Sequence, residues 1–308
     1  MKQLLILSGK GGTGKTTVAS AFIRLSAARA YADCDVDAPN LHLVAGWETP
    51  PETADYFGLG KAKIDGDMCI GCDLCRQHCR FGAIDENDGE YTVNSFACEG
   101  CGVCEHVCPA GAAAIVPSVD GELRLFVDDE IDGAVDCATC GEADGGADFV
   151  ADAKVFSTAQ LKMGSGNSGL LVTEVKKRMK ERSTADFSII DGSPGIGCPV
   201  IASLSGVDMV LIVAEPSVSG ISDMERIIHT AARFGTTIAV CINKYDTNLE
   251  KTEEIEWYCR EHGLPFVGRI PFDPRAVKAT NSGVSIIDID CVSGAATKEV
   301  YERTMALL

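Results

Sequence analysis

Residues 9–16 read Gly9-Lys10-Gly11-Gly12-Thr13-Gly14-Lys15-Thr16 and directly follow the apolar run 3–8. A helix is predicted next, over 16–28, and a strand, a glycine loop and a helix in this order are typical of a phosphate-binding loop. In such a loop the glycines turn backbone N–H groups toward phosphate oxygens, Lys15 supplies a cation, and the Thr16 hydroxyl binds Mg²⁺. A plain glycine turn between a strand and a helix is the alternative. The residues predicted to bind nucleotide are Gly9, Gly11, Gly12, Thr13, Gly14, Lys15, Thr16 and Thr17.

Apolar runs alternate with helical patterns along most of the chain. Strands are predicted at 123–127, 149–156, 186–190, 208–214, 236–242 and 265–270. Helices are predicted at 168–182, 219–234, 249–262 and 295–307. This alternation favours an α/β fold whose mostly parallel sheet is flanked by helices. Two regions interrupt it, and they are predicted to be a linker near 48–60 and a flexible connection at 164–169.

Composition and charge limit the classes of partner. The chain has 308 residues, of which 46% are hydrophobic and 23% charged, as in an ordinary globular protein with room for two domains. Its net charge of −18 repels a phosphate backbone, so we expect no nucleic-acid partner. No apolar run reaches the roughly 18–20 residues that span a bilayer, and a glycine loop stands where a signal peptide needs its cleavage site. We therefore expect a cytoplasmic protein without a membrane partner.

Eight of the fifteen cysteines form two copies of one spacing, Cys-x2-Cys-x2-Cys-x3-Cys. In this spacing three thiolates of a copy bind one 4Fe–4S cluster and the fourth binds the other cluster. By that crossed rule the ligands of cluster 1 are Cys69, Cys72, Cys75 and Cys108. The ligands of cluster 2 are Cys98, Cys101, Cys104 and Cys79. Structural zinc and a disulfide knot are the alternatives for these thiols.

The cysteine-rich region separates the glycine loop from the rest of the α/β pattern. We therefore interpret it as a compact domain inserted into a nucleotide-binding domain. The predicted boundaries are 1–60 for the first part of the nucleotide-binding domain, 61–117 for the insert and 118–308 for the remainder.

A second lysine early in the glycine loop, Lys10, resembles the deviant Walker A motif of the MinD/ParA/Mrp superfamily of P-loop ATPases. The cysteine-rich insert is similar to a bacterial two-cluster ferredoxin, an α+β domain. The two resemblances together cover nearly the whole chain and imply a Mg²⁺-dependent ATP hydrolase. They further imply that Lys10 reaches across a nucleotide-sandwiched dimer to the other chain's ATP, so that both Lys10 and Lys15 act in catalysis. The dimer would be formed with a second copy or with a related ATPase.

The same superfamily resemblance implies roles for two acids. Asp35, in Asp33-Cys34-Asp35, corresponds to the acid that orients or activates the attacking water, while Asp33 assists near Mg²⁺. Asp191 ends the apolar run 187–191 and fits the acid that holds Mg²⁺ together with Thr16.

The base of the nucleotide is expected to meet two positions. Asn243 corresponds to the residue that contacts the purine in the superfamily, and Pro271 lies in a segment that packs against the base. Asn243-Lys244-Tyr245-Asp246 also matches the guanine-reading motif of GTPases, so GTP is the alternative ligand. Lys10 favours ATP.

Three cysteines outside the two copies are further candidates for metal or redox chemistry. Cys198 follows Asp191 by seven residues, the offset of the cluster cysteine in nitrogenase iron protein, a relative of the superfamily. Cys137 and Cys140 form a lone Cys-x2-Cys pair. Packed or idle thiols are the alternative for all three.

Two functional hypotheses follow from the resemblance. In the first, ATP binding, hydrolysis and dimer closure gate electron transfer through two 4Fe–4S clusters to a redox or metallocofactor protein. In the second, the chain assembles or carries an iron–sulfur or other metal cofactor in an ATP-dependent way, as Mrp relatives do. A MinD-like positioning protein is a weaker third possibility, because the C-terminus has too few basic residues for a membrane-binding helix.

Overall fold

The computed structural model describes residues 1–47, 49–128 and 153–308, so Cys137 and Cys140 lie outside the described residues. The strands are β1 (Lys2–Leu7), β2 (Ala30–Asp33), β3 (Glu52–Phe57), β4 (Lys61–Ile64), β5 (Ile84–Asn87), β6 (Glu90–Val93), β7 (Ala113–Val116), β8 (Val119–Asp128), β9 (Lys154–Leu161), β10 (Phe187–Asp191), β11 (Met209–Ala214), β12 (Thr237–Asn243) and β13 (Phe266–Ile270). The helices are α1 (Lys15–Ser26), α2 (Leu74–Gln77), α3 (Val103–Val107), α4 (Ser168–Arg182), α5 (Cys198–Leu204), α6 (Val218–Ala232), α7 (Leu249–Glu261), α8 (Pro274–Asn281) and α9 (Val292–Met305).

The described residues form one large sheet with the strand order β13-β12-β11-β1-β10-β2-β9-β8-β3. Neighbouring strands from β13 to β9 are all parallel. β8 runs antiparallel to β9, and β3 runs antiparallel to β8. The predicted α/β fold with a mostly parallel sheet is therefore confirmed.

Both faces of the sheet are buried, which explains why its central strands are continuous apolar runs. In β1, Leu5 and Leu7 pack into the core on one face, and Leu4 and Ile6 pack into the core on the other. Successive side chains of a strand point to opposite faces, so a strand covered by helices on both sides needs apolar residues at every position. No helix of the described residues is both long and apolar enough to cross a membrane.

The prediction of a linker near 48–60 was wrong, because β3 lies inside that range. β3 pairs along its length with β8, from Glu52↔Leu125 to Phe57↔Val119. Only Tyr56 of β3 is buried, so the strand is held by backbone pairing at the edge of the sheet and carries no apolar pattern. Pro50-Pro51 stands just before this edge strand, at a position where proline costs no ladder hydrogen bond.

Other predicted elements agree with the structure apart from their ends. The helix predicted at 168–182 has those bounds in α4, whereas the strand predicted at 149–156 is β9, which begins at Lys154. α5 and α8 were not predicted. They have seven and eight residues, too few for an apolar stripe to repeat along the helix.

Residues 61–116, here called the cysteine-rich unit, leave and rejoin the large sheet between β3 and β8. β4 and β7 pair antiparallel at the two ends of the unit, from Lys61↔Val116 to Ile64↔Ala113. β5 and β6 form a hairpin. The unit has its own small core, in which Ala83 and Ile84 pack against Cys75, Cys98 and Cys104.

Candidate functional site

A cleft of about 960 Å³ lies at the carboxyl ends of the central strands. β10 lies between β1 and β2, with Asp191 in register with both Ile6 and Asp33. The loop after β1 therefore meets the acids at the ends of β10 and β2, as expected where parallel strands end together. The cleft is lined by the glycine loop from Lys10 to Thr17, by Asp35, Asp37, Asn40, Ser193, Pro194, Asn243, Lys244, Pro271 and Phe272, and by parts of α8 and α9.

Lys15 is buried at the floor of this cleft among carboxylates. Its Nζ lies 2.5 Å from Asp191 Oδ1, and the Thr16 hydroxyl donates to Asp191 Oδ2 at 2.7 Å. Burial alone would lower the pKa of Lys15, but the carboxylates of Asp191, Asp33 and Asp35 raise it above its ordinary value. Lys15 therefore stays charged, and Thr16 and Asp191 offer a hydroxyl and a carboxylate of the kind that Mg²⁺ binds.

Asp33 is fully buried and holds the loop that carries Asp35. Its carboxylate accepts hydrogen bonds from the backbone N–H groups of Asp35, Asn40 and Leu41, each at 3.0 Å. Burial and the neighbouring Asp191 raise the pKa of Asp33 to about 7, against the opposing effect of Lys15. The described contacts of Asp33 are those of a residue that positions a loop.

Asp35 lines the cleft itself. Burial raises the pKa of its carboxyl group, Lys15 opposes this, and Asp191 adds to it. A carboxylate in this position can hold and orient a water molecule.

Asn243 fixes the glycine loop. Its Nδ2 donates to Thr13 O at 2.6 Å, and a Cβ at Gly14 would lie only 2.2 Å from that nitrogen. Gly14 also has a φ of +92°, which strains any other residue. Gly9 does not line the cleft; a Cβ there would lie 2.1 Å from Asp223 Cβ, so glycine is needed at this position for packing against α6.

Lys10 is held by an acid that the sequence analysis did not identify. Lys10 Nζ lies 2.7 Å from Glu215 Oε2, and Lys244 Nζ lies 3.5 Å from Glu215 Oε1. Lys244 also donates to Gly12 O at 2.8 Å. Glu215 directly follows β11, and only the tertiary structure brings it beside the glycine loop.

The first and last residues of the pattern Asn243-Lys244-Tyr245-Asp246 have different surroundings. Asn243 and Pro271 both line the cleft, and their contact with a base stays a prediction. The carboxylate of Asp246 instead accepts a hydrogen bond from Phe272 N–H at 2.8 Å, and Asp246 is not among the lining residues. Asp246 therefore supports the turn that carries Pro271. α8 contributes Val277 and Thr280 to the cleft wall, and no sequence motif had indicated them.

Two smaller hollows lie in the cysteine-rich unit, and each is lined by four thiols. The cysteines of the first hollow are Cys69, Cys72, Cys75 and Cys108. The cysteines of the second hollow are Cys79, Cys98, Cys101 and Cys104. The structure thus brings together the two sets of four that the crossed rule grouped.

Backbone N–H groups point at several of these sulfurs. Ala62 N–H donates to Cys98 Sγ at 3.4 Å, Ala83 to Cys79 at 3.4 Å and Ala112 to Cys108 at 3.2 Å. Burial opposes ionisation of Cys108, but the N–H groups of residues 110–113 outweigh it and lower the pKa of this thiol. In the described ranges no three His, Cys, Asp or Glu side chains come close enough together to hold a single metal ion.

Cys198 is the first residue of α5 and is exposed. It lies in neither hollow. It lies against the start of α4, where a Cβ at Gly169 would lie 3.3 Å from Cys198 Cβ.

We expect Asp33→Asn to change how stability depends on pH. Because the pKa of folded Asp33 lies above the unfolded value, its contribution to the free energy of unfolding is full below the unfolded pKa of 3.8 and is lost as the pH rises through about 7. Denaturant titration without Mg²⁺ or nucleotide should show the free energy of unfolding of the native chain falling over this range relative to that of Asp33→Asn. Asp37→Asn, on the exposed side of the same loop, serves as the control. Parallel pH profiles for the native chain and Asp33→Asn would contradict the assignment.

The chain is similar to several known proteins and to one family model, and the fold described above agrees with them. An iron-sulfur cluster carrier protein of Methanocaldococcus jannaschii is 26% identical over 38% of this chain and 45% of its own length. An uncharacterized protein of the same organism is 28% identical over 98% of this chain and 95% of its own. The solved structure of the septum site-determining protein MinD of Pyrococcus horikoshii, complexed with Mg-ADP, matches with a TM-score of 0.53 at 19% identity over 99% of this chain and 96% of that one. The family model of the CobQ/CobB/MinD/ParA nucleotide binding domain matches residues 4–286, and the chain therefore belongs to this family.

Proposed function

We propose that the chain is an ATPase that couples ATP binding, hydrolysis and dimer closure to electron transfer through two 4Fe–4S clusters to a protein partner. The observation that carries the proposal is the pair of four-thiol hollows, in a unit inserted into a nucleotide-binding sheet of the MinD/ParA type.

The thiols fit cubane clusters in number and arrangement. A 4Fe–4S cluster takes one thiolate on each of its four irons, so its ligands stand around a hollow and do not meet at one point. Cys69, Cys72, Cys75 and Cys108 would hold one cluster, and Cys79, Cys98, Cys101 and Cys104 the other. The N–H groups that point at Cys79, Cys98 and Cys108 stabilise thiolate charge. Bound clusters would supply one-electron chemistry.

The cleft fits ATP with Mg²⁺. The N–H groups of the glycine loop and Lys15 would bind the β- and γ-phosphates, while Thr16 and Asp191 would hold Mg²⁺. Asp35 is close enough to the Lys15 cation for their charges to interact, and it would orient the attacking water. The MinD neighbour complexed with Mg-ADP supports the same ligand for this chain.

Lys10 would act on the nucleotide of a second chain, and its contacts suggest what dimer closure costs. Within one chain its Nζ is bound to Glu215 and lies 3.5 Å from the hydroxyls of Ser217 and Ser219. Lys10 must break this ion pair before it can reach across an interface. Because the pair is partly exposed, its loss costs only about 1 kcal/mol, which ATP binding can readily offset.

One loop joins the second hollow to the cleft. A Cβ at Gly164 would lie 2.6 Å from Phe96 Cδ1, and a Cβ at Gly166 would lie 3.3 Å from Glu99 Oε2. Phe96 and Glu99 flank Cys98 of the second hollow. At its other end the loop leads into α4, whose start contacts Cys198. Ser193 and Pro194, which come shortly before Cys198 in the chain, line the cleft. Phe96 is 73% exposed, so these are surface contacts, and they are the route by which a change at the γ-phosphate would reach the second hollow.

A second candidate function is ATP-dependent assembly or delivery of an iron–sulfur cluster. It is favoured by the partial similarity to an iron-sulfur cluster carrier protein and by the exposure of Cys198. Mixing the cluster-loaded chain with an apo-ferredoxin under anoxic conditions separates the two functions. Loss of iron and sulfide to the acceptor favours delivery, and retention through many ATP turnovers favours electron transfer.

The crossed assignment predicts which substitutions affect the same cluster. The anaerobically reconstituted chain should bind about eight irons, and each single ligand substitution should reduce this toward about four. Cys79→Ala and Cys98→Ala should remove the same electron paramagnetic resonance signal, whereas Cys108→Ala should remove the other. Cys259→Ala, in the core of the ATPase sheet, is the control and should retain both. An uncrossed pattern, in which Cys79→Ala and Cys75→Ala remove one signal, would exclude the assignment.

Removing the acid that holds Lys10 should favour the dimer. With a non-hydrolysable ATP analogue, Glu215→Gln should dimerise at a concentration up to about tenfold lower than the native chain, because Lys10 no longer breaks an ion pair. Lys10→Ala should lose analogue-dependent dimerisation and most ATP hydrolysis. Sedimentation velocity measures the first effect and phosphate release the second. Glu256→Gln, which breaks the ion pair to Arg269, is the matched control. If Lys10→Ala dimerised and hydrolysed ATP like the native chain, Lys10 would have no role in trans.

Phe96→Ala should uncouple the clusters from the nucleotide. The rate at which the reduced chain is reoxidised by a small oxidant should differ between ATP and a non-hydrolysable analogue in the native chain. This ratio should move toward one in Phe96→Ala, because the contact between residues 96 and 164 is lost. The control is Phe81→Ala, at a side chain that lines the second hollow, and it should keep the native ratio. If the native chain and both variants gave the same ratio of reoxidation rates, the loop would not be part of the coupling route.

A further inference from the structure

The two hollows have different surroundings. The second hollow lies beside the segment through which the unit joins the sheet: Lys61 Nζ, in the first strand of the unit, donates to Cys98 O at 2.6 Å, and a Cβ at Gly100 would lie 2.1 Å from Gly60 O, just before that strand. Phe96 and Glu99 approach the 162–167 loop. The second hollow is therefore the one that contacts the domain containing the nucleotide cleft.

The first hollow is bordered by one exposed loop. Residues 65–72 connect β4 to the turn before α2, and we call them the distal loop. Met68 and Ile70 of this loop are 50% and 69% exposed, and Cys72, a thiol of the first hollow, is exposed between Ile70 and α2. A pair of large exposed apolar side chains beside a thiol-lined hollow is the kind of surface that a protein partner covers. Phe81 and Phe96 beside the second hollow are also exposed, but Phe96 approaches the 162–167 loop.

Acids surround these apolar side chains. Asp65 and Asp67 are exposed at the start of the distal loop, and the Asp65 carboxylate accepts from Asp67 N–H at 2.9 Å, which fixes the turn. Over residues 61–116 nine carboxylates stand against four basic side chains, a net charge of −5 before any thiolate is counted. A partner with an acidic face would be repelled, so the complementary surface is basic.

We propose, on the basis of the function proposed above, that the distal loop is the docking face for a one-electron carrier protein with a basic surface. The partner's apolar contact covers Met68 and Ile70, and its basic rim meets Asp65 and Asp67. A cluster held by the first hollow and reduced beforehand by a one-electron reductant, such as dithionite in the test below, would give one electron to the carrier, with no bond formed or broken and no proton required. Docking at the first hollow leaves the second hollow in contact with the domain containing the nucleotide cleft.

The occupant is a different protein and not a second copy of this chain. With a net charge of −18, two copies that met through their distal loops would bring like charges together. The same argument disfavours acidic carriers.

Cytochrome c, a basic haem protein, is a suitable probe, used in two forms. Its redox-inert zinc-substituted form reports binding by fluorescence anisotropy, and its ferric form reports electron transfer by stopped-flow absorbance from the chain reduced beforehand with dithionite. The native chain is compared with the double variant Asp65→Lys/Asp67→Lys, with Ile70→Ser, and with the control Glu250→Lys/Glu253→Lys. The control makes the same change in total charge on the exposed side of α7, which packs near the opposite edge of the sheet.

We expect the Kd for the zinc form to rise by about tenfold or more in Asp65→Lys/Asp67→Lys and to rise less steeply with salt than in the native chain. Ile70→Ser should raise the Kd with its salt dependence unchanged, and the α7 control should change the Kd by less than about twofold. The rate of ferric cytochrome c reduction should fall in the same order. If the charge reversals in the distal loop and in α7 raised the Kd equally, only the total charge of the chain would matter, and the proposed docking face would be overturned. If the reconstituted chain binds no clusters, the proposed function fails, while the binding measurements still decide the docking face.

Discussion

A buried lysine among carboxylates organises the nucleotide cleft. Removing Lys15 and Asp191 from water is costly, and only close pairing and further hydrogen bonds make the arrangement stable. Asp191 supplies both, because one oxygen meets Lys15 and the other accepts from Thr16. Asp33 is the third group of this cluster, and its pKa is raised to about 7 first by burial and then by the neighbouring Asp191, against the effect of Lys15. In the proposed function, phosphates bound at Lys15 would add negative charge to this group, and a divalent cation held by Thr16 and Asp191 would offset it.

Charge also connects the cleft to the surface through which a second chain would act. Glu215 holds both Lys10 and Lys244, and Lys244 in turn donates to the backbone of the glycine loop at Gly12. Moving Lys10 away leaves Glu215 with Lys244, so the acid is never unpaired. This makes the rearrangement less costly than breaking an isolated ion pair, and Lys244 keeps the loop in place while Lys10 moves.

Local patterns identified the parts of the site that depend on neighbouring residues in the chain. The glycine loop, Lys15, Thr16 and Asp191 could be predicted because a strand, a turn and a helix N-terminus are encoded within a few residues. The fold class followed from apolar runs, since strands covered on both faces need apolar residues at every position. β3 could not be predicted, because an edge strand with one buried side chain depends on β8, more than sixty residues away. Glu215 and the contact of Asn243 with Thr13 were missed for the same reason, whereas the grouping of the cysteines was predictable because their spacing is itself a local constraint.

The position of the cysteine-rich unit in the sheet also connects it to the loop that carries Asp35, through the residues that lead into the 162–167 loop. Asp33 accepts hydrogen bonds from the N–H groups of Asn40 and Leu41. In the same loop, Val36 O accepts a hydrogen bond from the N–H group of Leu161, which is the last residue of β9. The next residue, Lys162, donates its N–H to Asp120 O of β8, the strand to which the unit returns. The loop that carries Asp35 is therefore joined by backbone hydrogen bonds to the strands that support the unit. Backbone contacts between packed strands are stiff. Under the proposed function, a movement of this loop on loss of a γ-phosphate would therefore be taken up at β8 and β9 or would break these bonds. Because β8 is also the strand to which the cysteine-rich unit returns, its place between β3 and β8 would expose the unit to that movement.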